Sequence, residues 1–194
     1  MPRNKRLIYH SALTSPATNL SDTDYVSING NIAMYNNVTN KSLPIEYDQC
    51  DIMYTELSWV AGIKKFNQRS NESTSYQEYM NGVSNIIMNS KVPIIIVSGK
   101  KDGRYLPIPN KVLDINLNGA KAQCYLYMAN IDGTYNTTID LLNHLATKYN
   151  CIGDFCCGYG NSGYIFMQNG KNFVMSDYNK KCITYIKTWL NENI

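Results

Sequence analysis

Cys151-Ile152-Gly153-Asp154-Phe155-Cys156-Cys157-Gly158-Tyr159-Gly160-Asn161-Ser162-Gly163 reads as a short strand, begun at Asn150, that ends on an acid and runs into a glycine turn. A helix follows from Gly163 to Gln168, Gly170 ends it, and Asn172-Phe173-Val174-Met175-Ser176-Asp177 is a second strand closing on a second acid. Strand, glycine turn, helix and strand form the unit of a parallel α/β sheet. Such sheets bind nucleotide-like ligands at the carboxyl ends of their strands, where glycine lets the backbone come close. An acid ending the next strand is placed to accept hydrogen bonds from ribose hydroxyls. The turn is expected to serve a ligand without a phosphate rather than a pyrophosphate.

The same alternation extends outward in both directions. Tyr25-Val26-Ser27-Ile28 stops at Asn29-Gly30, a strand and a turn. Asp51 to Thr55 is a second strand leading into Glu56-Leu57-Ser58-Trp59. Ser75 to Met88 places Tyr76, Tyr79, Met80, Val83, Ile86 and Ile87 at helical spacing, although Gly82 weakens that helix. Val92 to Val97 is continuously apolar, as in a strand covered on both faces. Two alternating segments around Asn118-Gly119 predict a hairpin. Thr138 to Tyr149 predicts a helix capped by Thr137 or Thr138, with Ile139, Leu142 and Leu145 inward, and Lys180 to Leu190 predicts a last helix. The expectation is an α/β protein with a seven-stranded, mostly parallel sheet, helices on both faces and one antiparallel hairpin.

Composition narrows the function. The chain has 194 residues, enough for one ordinary domain, and the expectation is a single domain over 1–194 with 1–24 as an N-terminal extension. Hydrophobic residues at 44% against 17% charged allow a packed core. Lys+Arg 18 against Asp+Glu 15 leaves +3, too little to indicate nucleic-acid binding from charge alone. No apolar run reaches the ~20 residues of a membrane span, and no signal-peptide core follows the basic N-terminus, so a cytoplasmic protein is expected. Cys50, Cys124, Cys151, Cys156, Cys157 and Cys182 show no zinc spacing and read as reduced, mostly buried thiols, and no metal is expected. His10 and His144 lack a nearby carboxylate pattern, and Ser58 lacks a nucleophile-elbow context.

The run Ile152 to Gly163 resembles the S-adenosylmethionine (SAM) motif of amino-group DNA methyltransferases, D-P-F-C-G-S-G-T-T. Asp154, Cys157, Gly158 and Gly160 fall on its fixed positions, and Asn161-Ser162 replaces the Thr pair. Asn169 to Asp177 is similar to the family's G-R-x-F-I-G-x-E/D segment. Asn136-Thr137-Thr138-Ile139 resembles the helix start that precedes the motif in members with a permuted order. That order requires the catalytic motif, D/N/S-P-P-Y/F/W, to come earlier in the chain. Glu56-Leu57-Ser58-Trp59 stands at its place, with Leu57 and Ser58 replacing both prolines.

The resemblance implies a Rossmann-like SAM-dependent methyltransferase fold and transfer to adenine N6 or cytosine N4 of DNA, with S-adenosyl-L-methionine as cofactor. It assigns Asp154, Cys156, Cys157, Gly158 and Gly160 to the cofactor loop, Asp177 to the ribose, Asn31 to the adenine side and Thr138 to the methionine end. It assigns Glu56, Ser58 and Trp59 to the acceptor amine, Glu56 as hydrogen-bond acceptor and Trp59 as the ring that stacks on a flipped base. Without Pro-Pro the loop loses the fixed φ that would aim a carbonyl at the amine. Little chain separates Met128 from Thr137, where permuted members carry a target-recognition region. The basic segments 62–75 (Lys64, Lys65, Arg69) and 99–105 (Lys100, Lys101, Arg104) read either as phosphate contacts or as solvated loops. Three readings stay open. One is an active enzyme with DNA as partner, no membrane and homodimerisation undecided; another is an inactive relative that binds SAM, nucleic acid or protein. The third is an enzyme with an RNA or small-molecule acceptor.

A testable consequence is topological. The strands at Asn150–Asp154 and Asp51–Thr55 must be parallel neighbours despite their separation in sequence.

Overall fold

Alternate residues of the central strands divide between two hydrophobic layers. In β4 (Ile94–Ser98), Ile95 and Val97 pack on one side of the sheet and Ile94 and Ile96 on the other, and all four are fully buried. Both faces are therefore covered, which explains the unbroken apolar run. The computed structural model describes residues 24–57, 63–64, 67, 73–117 and 120–193. The expectation for an N-terminal extension falls almost wholly outside these residues.

The remaining elements are β1 (Tyr25–Ile28), β2 (Asn31–Tyr35), β3 (Ile52–Glu56), α1 (Tyr76–Asn89), β5 (Lys111–Leu117), β6 (Ala120–Tyr127), α2 (Thr138–Lys148), β7 (Cys151–Asp154), α3 (Asn161–Gln168), β8 (Asn172–Asp177) and α4 (Lys180–Glu192). They build one sheet of order β1-β2-β8-β7-β3-β4-β6-β5. The block from β2 to β4 is parallel. β7 and β3 are parallel neighbours, with Ile52 opposite Ile152 and Met53 opposite Gly153, as the permuted order demands.

Leu141, Leu142 and Leu145 of α2, Phe166 of α3 and Ile183, Ile186 and Trp189 of α4 cover one face. Tyr79, Met80, Val83, Ile86 and Ile87 of α1 cover the other. α1 starts in a capping box between Ser75 and Glu78, and α2 in one between Thr137 and Asp140. Ile139, expected inward, is 58% exposed; Leu141 takes its place in the buried face.

The sheet has eight strands rather than seven. The additional strand is β2, which returns from β1 through a two-residue turn in which Asn29 (φ 50) and Gly30 (φ 78) are both left-handed. Nor is the late hairpin the only antiparallel pair: β1 with β2 and β4 with β6 are antiparallel as well. In the hairpin itself, Leu117 lies opposite Ala120, leaving Asn118 and Gly119 to connect them outside the described residues.

Gly82, a poor helix former inside α1, has a packing reason. A Cβ there would sit 2.2 Å from the carbonyl oxygen of Val38, so the helix rests directly on the backbone of the Val38–Asn40 turn. Gly82→Ala should therefore destabilise the protein by about 1–3 kcal/mol, the usual cost of overpacking, despite the ~1 kcal/mol of helix propensity it gains. A thermal melt checks this, and an unchanged or higher Tm would contradict the packing.

Candidate functional site at the carboxyl edge

The five parallel strands end along one edge of the sheet, which gathers Tyr35, Asp177, Asp154, Glu56 and Ser98. From β7 the chain proceeds through α3 to β8 on one side. From β3 it proceeds through α1 to β4 on the other. Loops that diverge from neighbouring strands leave a crevice between them, the usual ligand position in an open α/β sheet.

Asp154 organises the loop after β7. Its carboxylate accepts from Thr55 Oγ1 (2.7 Å), Ser162 Oγ (2.6 Å) and the Cys156 backbone N–H (3.1 Å). Burial pushes its pKa up to about 7, against the pull of those donors. With three donors converging on it, two on Oδ1 and one on Oδ2, Asp154 is a brace for the turn. Ser162, which stands where the resembled motif has Thr, supplies the hydroxyl that this brace needs. Tyr47 adds another brace, donating to the Asp154 carbonyl (3.0 Å) and lying 2.8 Å from Ser176 Oγ.

Asp177 is held by two backbone donors, Gly158 N–H at 2.9 Å and Asn179 N–H at 2.8 Å. Burial raises its pKa to about 6, and the two N–H groups oppose that rise. Gly158 is left-handed (φ 52), and nothing lies within 4 Å of the place where its Cβ would be. Gly160 differs. A Cβ there would meet Ile186, Met175 and Trp189, so its lack of a side chain serves helix packing and not ligand approach. Gly163 likewise faces Met175 and Phe173. Together Gly158-x-Gly160-x-x-Gly163 meets the full dinucleotide spacing, so spacing alone does not separate a phosphate-free ligand from a pyrophosphate.

Beside Asp177 a shallow crevice is lined by Asn36, Tyr79, Phe155, Cys156 and Tyr178 among others. Asn36 was not anticipated from sequence, because it follows the unread strand β2. Its backbone N–H donates to the Asp177 carbonyl, and its side-chain nitrogen is buried with no hydrogen-bond partner. An orphaned buried donor costs about 1–3 kcal/mol, which a ligand acceptor would relieve.

At the carboxyl end of β3, next to β7, Glu56 accepts from Tyr54 Oη at 2.6 Å. Burial raises its pKa, with hydrogen bonds from Tyr54 and Thr138 pulling it back. Thr138, the first residue of α2, thus faces Glu56 from the helix N-terminus. Leu57 is buried, and its N–H continues the ladder to the Val97 carbonyl. Cys156 and Cys157 are neutral thiols: burial pushes both well up, Cys156 accepts from Tyr79 Oη (3.4 Å), and Cys157 is packed in the core. Neither has the electropositive setting of a nucleophile.

The carboxyl edge therefore brings together Asp154, Cys156, Cys157, Gly158, Gly160, Asp177, Glu56 and Thr138. Asn31 is not among them. It opens β2 at the opposite edge, where its Oδ1 accepts from Phe173 N–H at the start of β8. Ser58 and Trp59 lie outside the described residues. Among the described residues no cluster of His, Cys, Asp or Glu could hold a metal ion, and no helix is long and apolar enough to cross a membrane.

No protein-family model matches the sequence, and no curated protein matches it. Solved structures do. The crystal structure of M1.HpyAVI superposes with a TM-score of 0.52 at 10% identity, over 82% of this chain and 98% of that one. The M1.HpyAVI–SAM complex gives 0.51 at 8% identity, over 81% and 98%. TTHA0409 of Thermus thermophilus, assigned as a DNA modification methylase, gives 0.50 at 10% identity, over 82% and 94%. The chain has the methyltransferase fold. At these identities the likeness is one of architecture.

Proposed function

We propose that this protein binds S-adenosylmethionine at the carboxyl edge and transfers its methyl group to an exocyclic amine of a nucleic-acid base, adenine N6 or cytosine N4 of DNA. The observation that carries the proposal is the Asp154–Gly158–Asp177 arrangement: a braced turn, an open backbone approach over Gly158, and a buried acid beside it. The M1.HpyAVI–SAM complex, a structure of the same fold, supports the choice of cofactor.

The residues present fit the group. Asp177 would accept from the ribose hydroxyls, the Asn36 amide would donate to an adenine nitrogen, and the start of α2 at Thr138 would lie towards the methionine end. The cofactor supplies an electrophilic sulfonium methyl. Glu56 would accept a hydrogen bond from the acceptor NH2 and orient its lone pair, with Trp59 proposed as the stacking ring. Incubation with methyl-tritiated SAM and DNA tests this: label in adenine or cytosine supports it, and a folded, SAM-binding protein that labels no nucleic acid overturns the transfer step.

A second reading, SAM binding without transfer, is favoured by one observation. Leu57 stays in the β ladder with its side chain buried, so the chain leaves Glu56 as a strand and not as a rigid proline turn. A misplacement of ~1 Å at the reacting atoms can cost about a hundredfold in rate.

The raised pKa of Asp177 makes cofactor binding pH-dependent. Ribose hydroxyls donate to the ionised carboxylate, so binding requires Asp177 to have lost its proton. SAM affinity should be flat above pH 7 and fall towards tenfold per pH unit below about 6. Calorimetric titrations at pH 5 to 8 check it, and constant affinity across that range would remove Asp177 from the ribose.

A further inference from the structure

Among the described residues, the carboxyl end of β4 carries the densest group of cations near the site. Lys100, Lys101 and Arg104 are all exposed, and none forms an ion pair among the described residues. Two lysines elsewhere, Lys111 and Lys180, are paired with Asp132 and Asp24. The one acid in the segment, Asp102, is turned inward. It accepts from Tyr76 Oη at 2.6 Å and from Ser98 Oγ at 2.9 Å. The turn therefore presents its positive charges outward and spends its negative charge on anchoring.

The anchoring is firm. Gly103 lies against Tyr125, whose hydroxyl would be 2.4 Å from a Cβ, and Ser84 Oγ donates to the Tyr105 carbonyl at 2.8 Å. Tyr105 meets Tyr76 edge-on at 5.7 Å. The Arg104 guanidinium sits 4.8 Å from the Tyr105 ring centroid and donates to its hydroxyl at 3.0 Å. Stacking on a ring fixes the plane of the guanidinium and lowers the entropy lost when it pairs with an anion. A solvated charged loop would need none of this.

Position completes the case. Glu56 lies opposite Val97 in the ladder, and neighbouring strands are about 4.8 Å apart, so the basic turn begins one strand away from the proposed acceptor site. The flanking phosphates of a base presented to Glu56 would trail behind it by about the length of a nucleoside, a span that extended Lys and Arg side chains of this turn can cover.

We infer that Lys100, Lys101 and Arg104 form a preordered clamp for the phosphate backbone of the nucleic acid whose base enters at Glu56, an inference that rests on the proposed function. The clamp holds backbone and reads no sequence. Binding of a labelled 20-base-pair duplex and of its single strand is to be measured against salt for the parent chain and for Lys100→Gln/Lys101→Gln/Arg104→Gln. A control triple variant takes glutamine at Lys91, Lys148 and Lys171, which precede β4, β7 and β8 at the opposite edge.

The clamp variant should lose at least about tenfold in affinity at ~100 mM salt, and its log–log salt slope should shrink by about 2–3, the release expected for three phosphates. The control should stay within about twofold. Equal losses in both variants, an unchanged slope in the clamp variant, or a parent that binds neither nucleic acid would each overturn the clamp. SAM titration of the same proteins separates the two failures. A parent that binds SAM while the clamp fails leaves the cofactor site standing, and a parent that binds no SAM sinks the underlying reading.

Discussion

Asp177→Ala should weaken SAM binding by about 1.5–3 kcal/mol, roughly ten- to a hundredfold, the scale of a lost charge-assisted hydrogen bond. The substitution removes the proposed ribose acceptor and also releases the Gly158 and Asn179 N–H groups that the carboxylate holds at 2.9 and 2.8 Å. Asp177→Asn separates the two effects. It keeps an oxygen for one of those donors, sets its NH2 against the other and loses the charge, so it should loosen the turn less than alanine does and still bind SAM weakly. Because the buried carboxylate has its pKa raised to about 6, its contribution to stability is fully present below the unfolded value and lost as pH rises through 6. Asp177→Asn should therefore cost less stability at neutral pH than in acid. Parental SAM affinity in either variant would place the cofactor elsewhere.

Glu56→Gln should lower methyl transfer at least a hundredfold, about 2.7 kcal/mol, and leave SAM affinity within twofold. The side chain is nearly isosteric, and Tyr54 Oη can still donate to the remaining oxygen at the position it now holds, 2.6 Å away. What changes is the other atom. An amide NH2 presented to an amine NH2 sets donor against donor, and the lone pair of the acceptor is no longer aimed. Rates with saturating SAM and DNA report this directly, and parental turnover in the variant would remove Glu56 from the acceptor site.

Part of this site was legible because glycine and acid punctuate it. β7, the turn and β8 carry Gly158 and Gly170 in left-handed conformations and an acid at each strand end, so the pattern survives without knowledge of the sheet. β2 was not legible. Ile32, Ala33 and Met34 are all buried, so no alternation marks the strand, and neither Ala nor Met favours one. The hidden strand also shifts which residue is proposed for the adenine side. With Tyr25–Ile28 taken as the parallel strand, Asn31 falls at the carboxyl edge. In the sheet β1 runs antiparallel, its turn lies at the amino edge, and the residue beside Asp177 is Asn36.

The glycines show a second limit. Gly158, Gly160 and Gly163 form one spacing in sequence, yet only Gly158 faces open space, while Gly160 and Gly163 admit Ile186, Met175 and Phe173. Ligand contact and core packing ask for the same residue type, and only the neighbours tell them apart. Similarly, Gly82 reads as a weakness in α1 until the Val38 carbonyl is seen against it.

Isothermal titration of the full chain with S-adenosylmethionine, with its demethylated product and with a nicotinamide dinucleotide decides which ligand the carboxyl edge takes. Saturable one-to-one binding of the first two and none of the third is the predicted result. Heat from the dinucleotide alone, or from no ligand at millimolar concentration in a protein that melts cooperatively, would contradict it.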